Sequence, residues 1–206
     1  GNVQLRAEES KHAGKYRDII ASLNQTLDAV GGPMQESTDV LKKLATNDLT
    51  CSMEGNAYQG IFAENAAAVN EVRARLTNIT RTFEYMARGD FSDLERYKKA
   101  GKRSANDELL PNTIRLMENV LGLTEEFLAL GKATEEGRLD HRVDVTRFKG
   151  KFEEAVKAVN YSMDALVDPL NVAAEKVAFI SRGEIPEKIT DEYKGDFNEI
   201  KNNINA

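Results

Sequence analysis

The chain copies itself. His12–Pro33 (HAGKYRDIIASLNQTLDAVGGP) aligns without a gap on Phe148–Pro169 (FKGKFEEAVKAVNYSMDALVDP) at a single offset of 136. Gly14 falls on Gly150, Lys15 on Lys151, Tyr16 on Phe152, Asn24 on Asn160, Asp28 on Asp164 and Pro33 on Pro169. Two weaker copies are anchored by Tyr58-x-Gly60-x-Phe62 and Tyr193-x-Gly195-x-Phe197. In all four copies an asparagine (Asn24, Asn70, Asn160, Asn205) follows the glycine by ten residues. Repetition at a step of about 45 residues marks an array. A chain built this way is expected to transmit or scaffold along its length rather than to enclose one catalytic centre.

Richness in Ala, Leu, Glu, Lys and Arg, with no tryptophan and only four prolines, tilts the expectation toward long helices. A net charge of −6 argues against nonspecific attraction to nucleic acid or to an anionic membrane face. The single cysteine, Cys51, has no intramolecular partner and so says nothing for an oxidising compartment. No apolar run approaches the roughly 20 residues that span a bilayer, and Gly1–Ala13 is too polar for a signal peptide. A cytoplasmic location without direct membrane contact is therefore expected, for a piece that reads as cut from something longer at both ends.

Each repeat reads as helix, connector, helix. In the last, Pro169–Arg182 carries Leu170, Ala173, Val177 and Ile180, one apolar stripe of a helix. Asp168-Pro169 reads as its start and Gly183 as its C-terminal stop. A connector with Pro186 follows, then a second helix from about Asp191 with Tyr193, Phe197, Ile200 and Ile204 on one face. The first stripe recurs at Met34, Ser37, Leu41, Leu44 and at Leu76, Ile79, Phe83, Met86. In the third full repeat the equivalent seam is poor (Thr124, Phe127, Gly131, Thr134), and a shifted set (Leu123, Phe127, Leu130, Thr134) restores most of it. The second helix of one repeat should run straight into the first helix of the next. Helices with one apolar stripe must bury it against partners. Two short helices per repeat do not enclose a seam, so a second copy lying parallel is expected to complete a four-helix bundle.

The connectors share a pattern of Gly or Asn, any residue, apolar, three residues, apolar. It reads Asn47-Asp48-Leu49 to Met53, Gly137-Arg138-Leu139 to Val143, and Gly183-Glu184-Ile185 to Ile189. The second repeat opens as Gly89-Asp90-Phe91, but its next apolar residue is Leu94, one place early. Physically, the chain leaves a helix through a turn and pins itself back with two apolar pegs.

With the Pro-apolar starts (Pro33-Met34, Pro169-Leu170) and the Asp-Glu pairs (Asp107-Glu108, Asp191-Glu192), these connectors make the sequence resemble the HAMP domain. In series they resemble the poly-HAMP stretches of methyl-accepting chemotaxis proteins and related sensory transducers. The boundaries on that reading are 1–30 (the last helix of an upstream repeat), 31–75, 76–121, 122–167 and 168–206. The departures are Asn47 for the junction glycine, Arg75 where Pro169 has its counterpart, and no Asp-Glu pair before Tyr58. The resemblance implies an all-α fold of parallel homodimeric four-helix coiled coils stacked end to end. It implies no catalysis and no cofactor. It also implies relay of helix rotation or packing between an upstream sensor and a downstream output module of the same chain. A ligand-sensing bundle and a passive coiled-coil spacer are the alternatives.

His12 stands where Tyr58, Phe148 and Tyr193 stand in the other copies and reads as a packing residue. His141, between two pegs, reads as exposed. Two distant histidines and one cysteine do not make a zinc set, and no metal or catalytic residue is expected. The basic cluster Arg96, Lys98, Lys99, Lys102, Arg103 reads as a solvated loop, and the abundant carboxylates as helix faces paired with Lys or Arg four residues away. The recurring asparagines read either as ligands of connector backbone or as solvent-exposed. Signalling residues are expected at the junctions and pegs: Pro33, Leu49, Met53, Gly89, Phe91, Gly137, Leu139, Val143, Pro169, Gly183, Ile185 and Ile189.

Overall fold

A computed structural model describes residues 4–206 and contains only helices and connectors among them. Six α-helices follow one another: α1 (Lys15–Ala45), α2 (Ile61–Ala87), α3 (Asp93–Ala100), α4 (Leu109–Glu135), α5 (Lys151–Ser181) and α6 (Asp196–Asn205). The chain divides into two compact bodies, Gly1–Asp93 and Leu94–Ala206. The all-α fold is the expected one. No helix among the described residues is long and apolar enough to cross a membrane.

Helix termini explain the repeat. At the N-terminal end, Gly14, Gly60, Gly150 and Gly195 precede α1, α2, α5 and α6 with φ between 53° and 61° and ψ near −135°. That backbone region is essentially closed to residues with a Cβ. The second helix of the last repeat therefore begins after Gly195 at Asp196, not near Asp191 as its composition suggests. Tyr58, Phe148 and Tyr193 accordingly belong to connectors rather than to helical stripes.

At the C-terminal end, Asn47, Gly89, Gly137 and Gly183 adopt φ of 63°, 78°, 77° and 76°. Two backbone bonds close each of these ends. In α5 they run from Gly183 N to Ile180 O (3.0 Å) and from Glu184 N to Phe179 O (3.1 Å), the pair that caps a Schellman turn. Asn47 repeats the geometry, with Asp48 N to Lys43 O at 2.9 Å. Asparagine is the residue other than glycine that tolerates a left-handed C′ position, which accounts for its substitution there.

α1 and α5 are both 31 residues long and both contain a proline, Pro33 or Pro169, in mid-helix. The expected helix start at Asp168-Pro169 is thus not a start, since α5 runs through it. Its lost amide bond falls where one repeat passes into the next, as the absence of any stop between them requires. α2, without proline, has 27 residues and is four shorter.

In the first repeat the two helices run parallel, and the contacts say so directly. The start of α2 (Ile61, Phe62, Asn65) lies beside Pro33, Met34 and Ser37 of α1. Further on, Arg73 of α2 reaches the Leu49 carbonyl just past the end of α1. The connector between them runs back along both. Val40 and Leu44 of α1, Met53 of the connector, and Ala66 and Val69 of α2 form one buried core. Leu130, Val143, Phe148 and Val156 form the matching core around the connector from α4 to α5. Of the shifted seam in that repeat, Leu130 is buried and Leu123 half-buried, whereas Phe127 and Thr134 are exposed.

Gly150 tests the terminal geometry. No atom lies within 4 Å of where a Cβ would sit, so any penalty is conformational. Gly150→Ala should destabilise the fold by about 1–3 kcal/mol in urea titration. Gly131→Ala, mid-helix with equally open surroundings, should stabilise it slightly.

Candidate functional site: the connectors

A connector that runs back between two parallel helices has no ladder to satisfy its backbone. Three such connectors, and the segment that precedes α1, solve this with an asparagine from the following helix. Asn70 Oδ1 accepts from the Met53 amide (3.0 Å) and its Nδ2 donates to the Met53 carbonyl (2.9 Å). Asn160 does the same to Val143, at 3.0 and 2.8 Å. Asn205 does so to Ile189, at 2.7 and 2.9 Å, and Asn24 to Ala7, at 3.1 and 3.0 Å. The side-chain amide takes the place of a neighbouring strand, answering one N–H and one C=O of the same residue. Of the two readings open for these asparagines, the backbone ligand is the correct one.

The residue so held is the second peg. Met53, Val143 and Ile189 are all buried. First pegs are less uniform. Leu49 and Leu139 are half-buried, but Ile185 is 98% exposed and pins nothing within its own chain. That overturns the expectation of two apolar pegs for the last connector. The last connector is also shorter. Ile189 and Asn205 are 16 residues apart where the other three pairs are 17 apart, and the 3-10 turn of the others (Glu9–Lys11, Gly55–Ala57, Val145–Arg147) is missing.

Charged groups fasten two connectors further. Arg142 Nε donates to Asp164 (2.8 Å), and its Nη1 donates to the Leu139 and His141 carbonyls (2.8 and 2.7 Å). Arg6 Nε meets Asp28 at 2.8 Å at the matching place 136 residues earlier. Aspartates fold the turns: Asp48 accepts from Thr50 N (3.0 Å), Asp90 from Ser92 N (2.9 Å) and Asp144 from Thr146 N (2.9 Å). These bonds stabilise the charged form, with the Thr50 and Thr146 hydroxyls leading at Asp48 and Asp144 and the Ser92 amide at Asp90. All three carboxyls are held below the usual range.

The segment after α2 differs in kind. Gly89 ends α2 as expected and Phe91 is half-buried, but the chain then coils into α3, anchored by buried Leu94 and Tyr97. Asp93 accepts the Thr82 hydroxyl at 2.7 Å. The basic cluster is therefore half helix rather than loop, and Lys98 is drawn to Glu118 at 3.0 Å. Asp107 closes the segment by accepting from Arg103 N (3.0 Å) and Leu110 N (3.2 Å), which lowers its pKa and opens α4.

Both histidines depart from expectation. His12 is exposed rather than packed. His141 is half-buried, with Nε2 enclosed and without a hydrogen-bond partner among the described residues. Helix carboxylates pair as the sequence suggests, for example Glu71 with Arg75 (2.7 Å) and Glu153 with Lys157 (2.6 Å).

Asn160→Ala leaves the Val143 N–H and C=O without their partner and should cost about 1–3 kcal/mol by urea unfolding. Asn160→Asp keeps an acceptor but loses the donor, and should recover only part of that loss. Acid should loosen the turns from one side only. Carboxyls with depressed folded pKa values contribute in full at neutral pH and lose that contribution as pH falls from about 4 through those values. Amide NMR shifts of Thr50, Ser92 and Thr146 should hold constant down to about pH 4 and move below it. A midpoint at or above pH 4 would contradict this assignment.

Three connectors link parallel helices within their own unit, four segments reuse one clamp, and there is no group of three or more His, Cys, Asp or Glu side chains suited to a metal among the described residues. No solved structure matches the chain. The family model of the HAMP domain matches residues 11–78 and 147–206, two regions whose starts differ by the same 136 residues as the internal repeat. Together they cover well over half of the sequence, and the chain belongs to the HAMP-domain family, the signal-relay modules of sensor proteins.

Proposed function

We propose that this chain is a tandem HAMP relay from a cytoplasmic part of a chemotaxis-type receptor and works as a parallel homodimer without cofactor or chemistry of its own. The observation that carries this reading is a continuous uncovered stripe. Tyr16, Ile19, Leu23, Leu27, Val30, Met34 and Leu41 follow one another along α1 at 3-4-4-3-4-7 spacing, each between 36% and 75% exposed. Leu166, Leu170, Val177 and Ile180 form a similar exposed row on α5. Each protomer buries one edge of each helix against its own connector and leaves this second edge bare. Contiguous apolar surface of this length marks an interface. A partner of the same direction meets it with the same spacing, and four parallel helices then enclose the stripe.

A bundle closed in this way has two nearly balanced packings when its seam is imperfect, and an input that favours one shifts the population. Gly131, exposed on α4 with no atom within 4 Å of where a Cβ would sit, leaves that seam thin. A ligand-sensing bundle has less in its favour, because Gly131 lies exposed rather than beside an enclosed space. A passive spacer shares the dimer and differs only in output. Insertion at Gly137 in the intact receptor separates the two, with altered signalling expected for a relay.

Cysteines placed on the bare stripe test the partnership. Leu44, although on the sequence-derived seam, is buried at 6% exposure against its own repeat and is a poor site. In a Cys51→Ser background, Leu41→Cys and Ile180→Cys should each cross-link to the same residue of a second copy under mild oxidation. Failure of both in a folded protein would remove the parallel dimer.

A further inference from the structure

Each connector has a far end as well as a middle, and two of the three complete junctions tie that end to the preceding helix by the same device. Glu36 of α1 accepts the Glu54 amide through Oε1 (3.1 Å) and the Tyr58 hydroxyl through Oε2. Ninety residues on, at the same register, Glu126 of α4 accepts the guanidinium of Arg147 and is only 19% exposed. The donors differ, but they compensate. Where Tyr58 becomes Phe148 and loses its hydroxyl, the residue before it changes from Ala57 to Arg147. In the last repeat the matching position, 136 residues beyond Glu36, is Val172. Tyr193 is present there, but α5 offers it no carboxylate at that place.

We propose that Glu36 and Glu126 are coupling latches and that the last repeat runs unlatched. The inference rests on the relay reading and adds where that relay is stiff. In a latched repeat the asparagine holds the middle of the connector to the second helix while the glutamate holds its end to the first. The connector is then a polar strut between the two helices of one protomer. Sliding or turning one helix against the other must break charge-assisted bonds in which the acceptor is a partly buried carboxylate. Motion of α1 is thereby carried to α2, and motion of α4 to α5, without a change of offset. The last repeat has the asparagine clamp and the buried Ile189, but its connector lacks both the latch and the 3-10 turn. Its helices change offset with fewer polar bonds to break, so it is where an incoming displacement is released as a change of packing.

Backbone hydrogen exchange on the intact chain reads the latches individually. Glu36→Ala should speed exchange of the Glu54 amide about tenfold while the Met53 amide, held by Asn70, keeps its protection. Glu36→Gln, which retains an acceptor, should fall between. The Tyr58 phenol supplies a second signature. Its hydrogen bond to Glu36 raises its pKa, and Glu36→Ala should bring that titration back toward the ordinary value of about 10. Val172→Glu should install the missing latch and slow exchange across residues 190–193 several-fold. That variant also decides the matter if Glu36→Ala fails to fold.

Unchanged exchange at Glu54 in a folded Glu36→Ala protein, or no slowing in Val172→Glu, would overturn the proposal. The latch bonds lie within one protomer. A chain that showed these responses but formed no cross-link at Leu41→Cys would keep the latches and lose the parallel dimer.

Discussion

Two parallel helices in one chain need a connector that travels back the length of a helix, and that connector must find partners for its own backbone. Everything specific about this protein follows from how that need is met. A hairpin would let the helices pair antiparallel and close their own core. Here the connector lies in the groove, its second peg fills the core, and an asparagine side chain takes the place of a strand partner. The clamp sits ten residues inside the following helix because its glycine start fixes that helix just below the peg.

Once the connector occupies one side of the helix pair, only the other side remains open. That division gives each helix two apolar edges with different fates. Val40 and Leu44 face the connector and are buried, while Met34 and Leu41 are left half-covered. The same separation gives the polar residues their places. Carboxylates and guanidinium groups on the connector side fasten it, and buried hydroxyls such as that of Thr82 meet aspartate from the adjoining segment. On the proposed relay, the fastened side would hold its geometry while the open side repacks.

Much of this was legible in the sequence, for definite reasons. Glycine at C′ and the peg two residues on are local signals, and Gly137, Gly183, Leu139 and Val143 behave as their spacing says. The asparagines are visible as a recurrence with two roles open, backbone ligand or solvent-exposed, because a clamp to backbone leaves no complementary residue to recognise. Helix starts were misread at Asp191 and Asp168. An apolar stripe continues through the aromatic that precedes each glycine, and a proline inside a long helix looks like a start. His12 and Ile185 were misjudged because aligned positions need not share surroundings. The carboxylate at Glu36 was invisible, since its meaning lies in Tyr58 and Glu54, which come within reach only when the connector folds back. The helix α3 was hidden by its charge, for Leu94 and Tyr97 alone supply its buried anchor.

The proposed relay depends on the bare edge being closed by an identical chain. Sedimentation equilibrium of the chain over a wide range of loading concentrations measures this without any mutation. The chain mass is 22.9 kDa, and the expected species is twice that, persisting through dilution with helical content intact. A folded species at the single-chain mass at every concentration would contradict it.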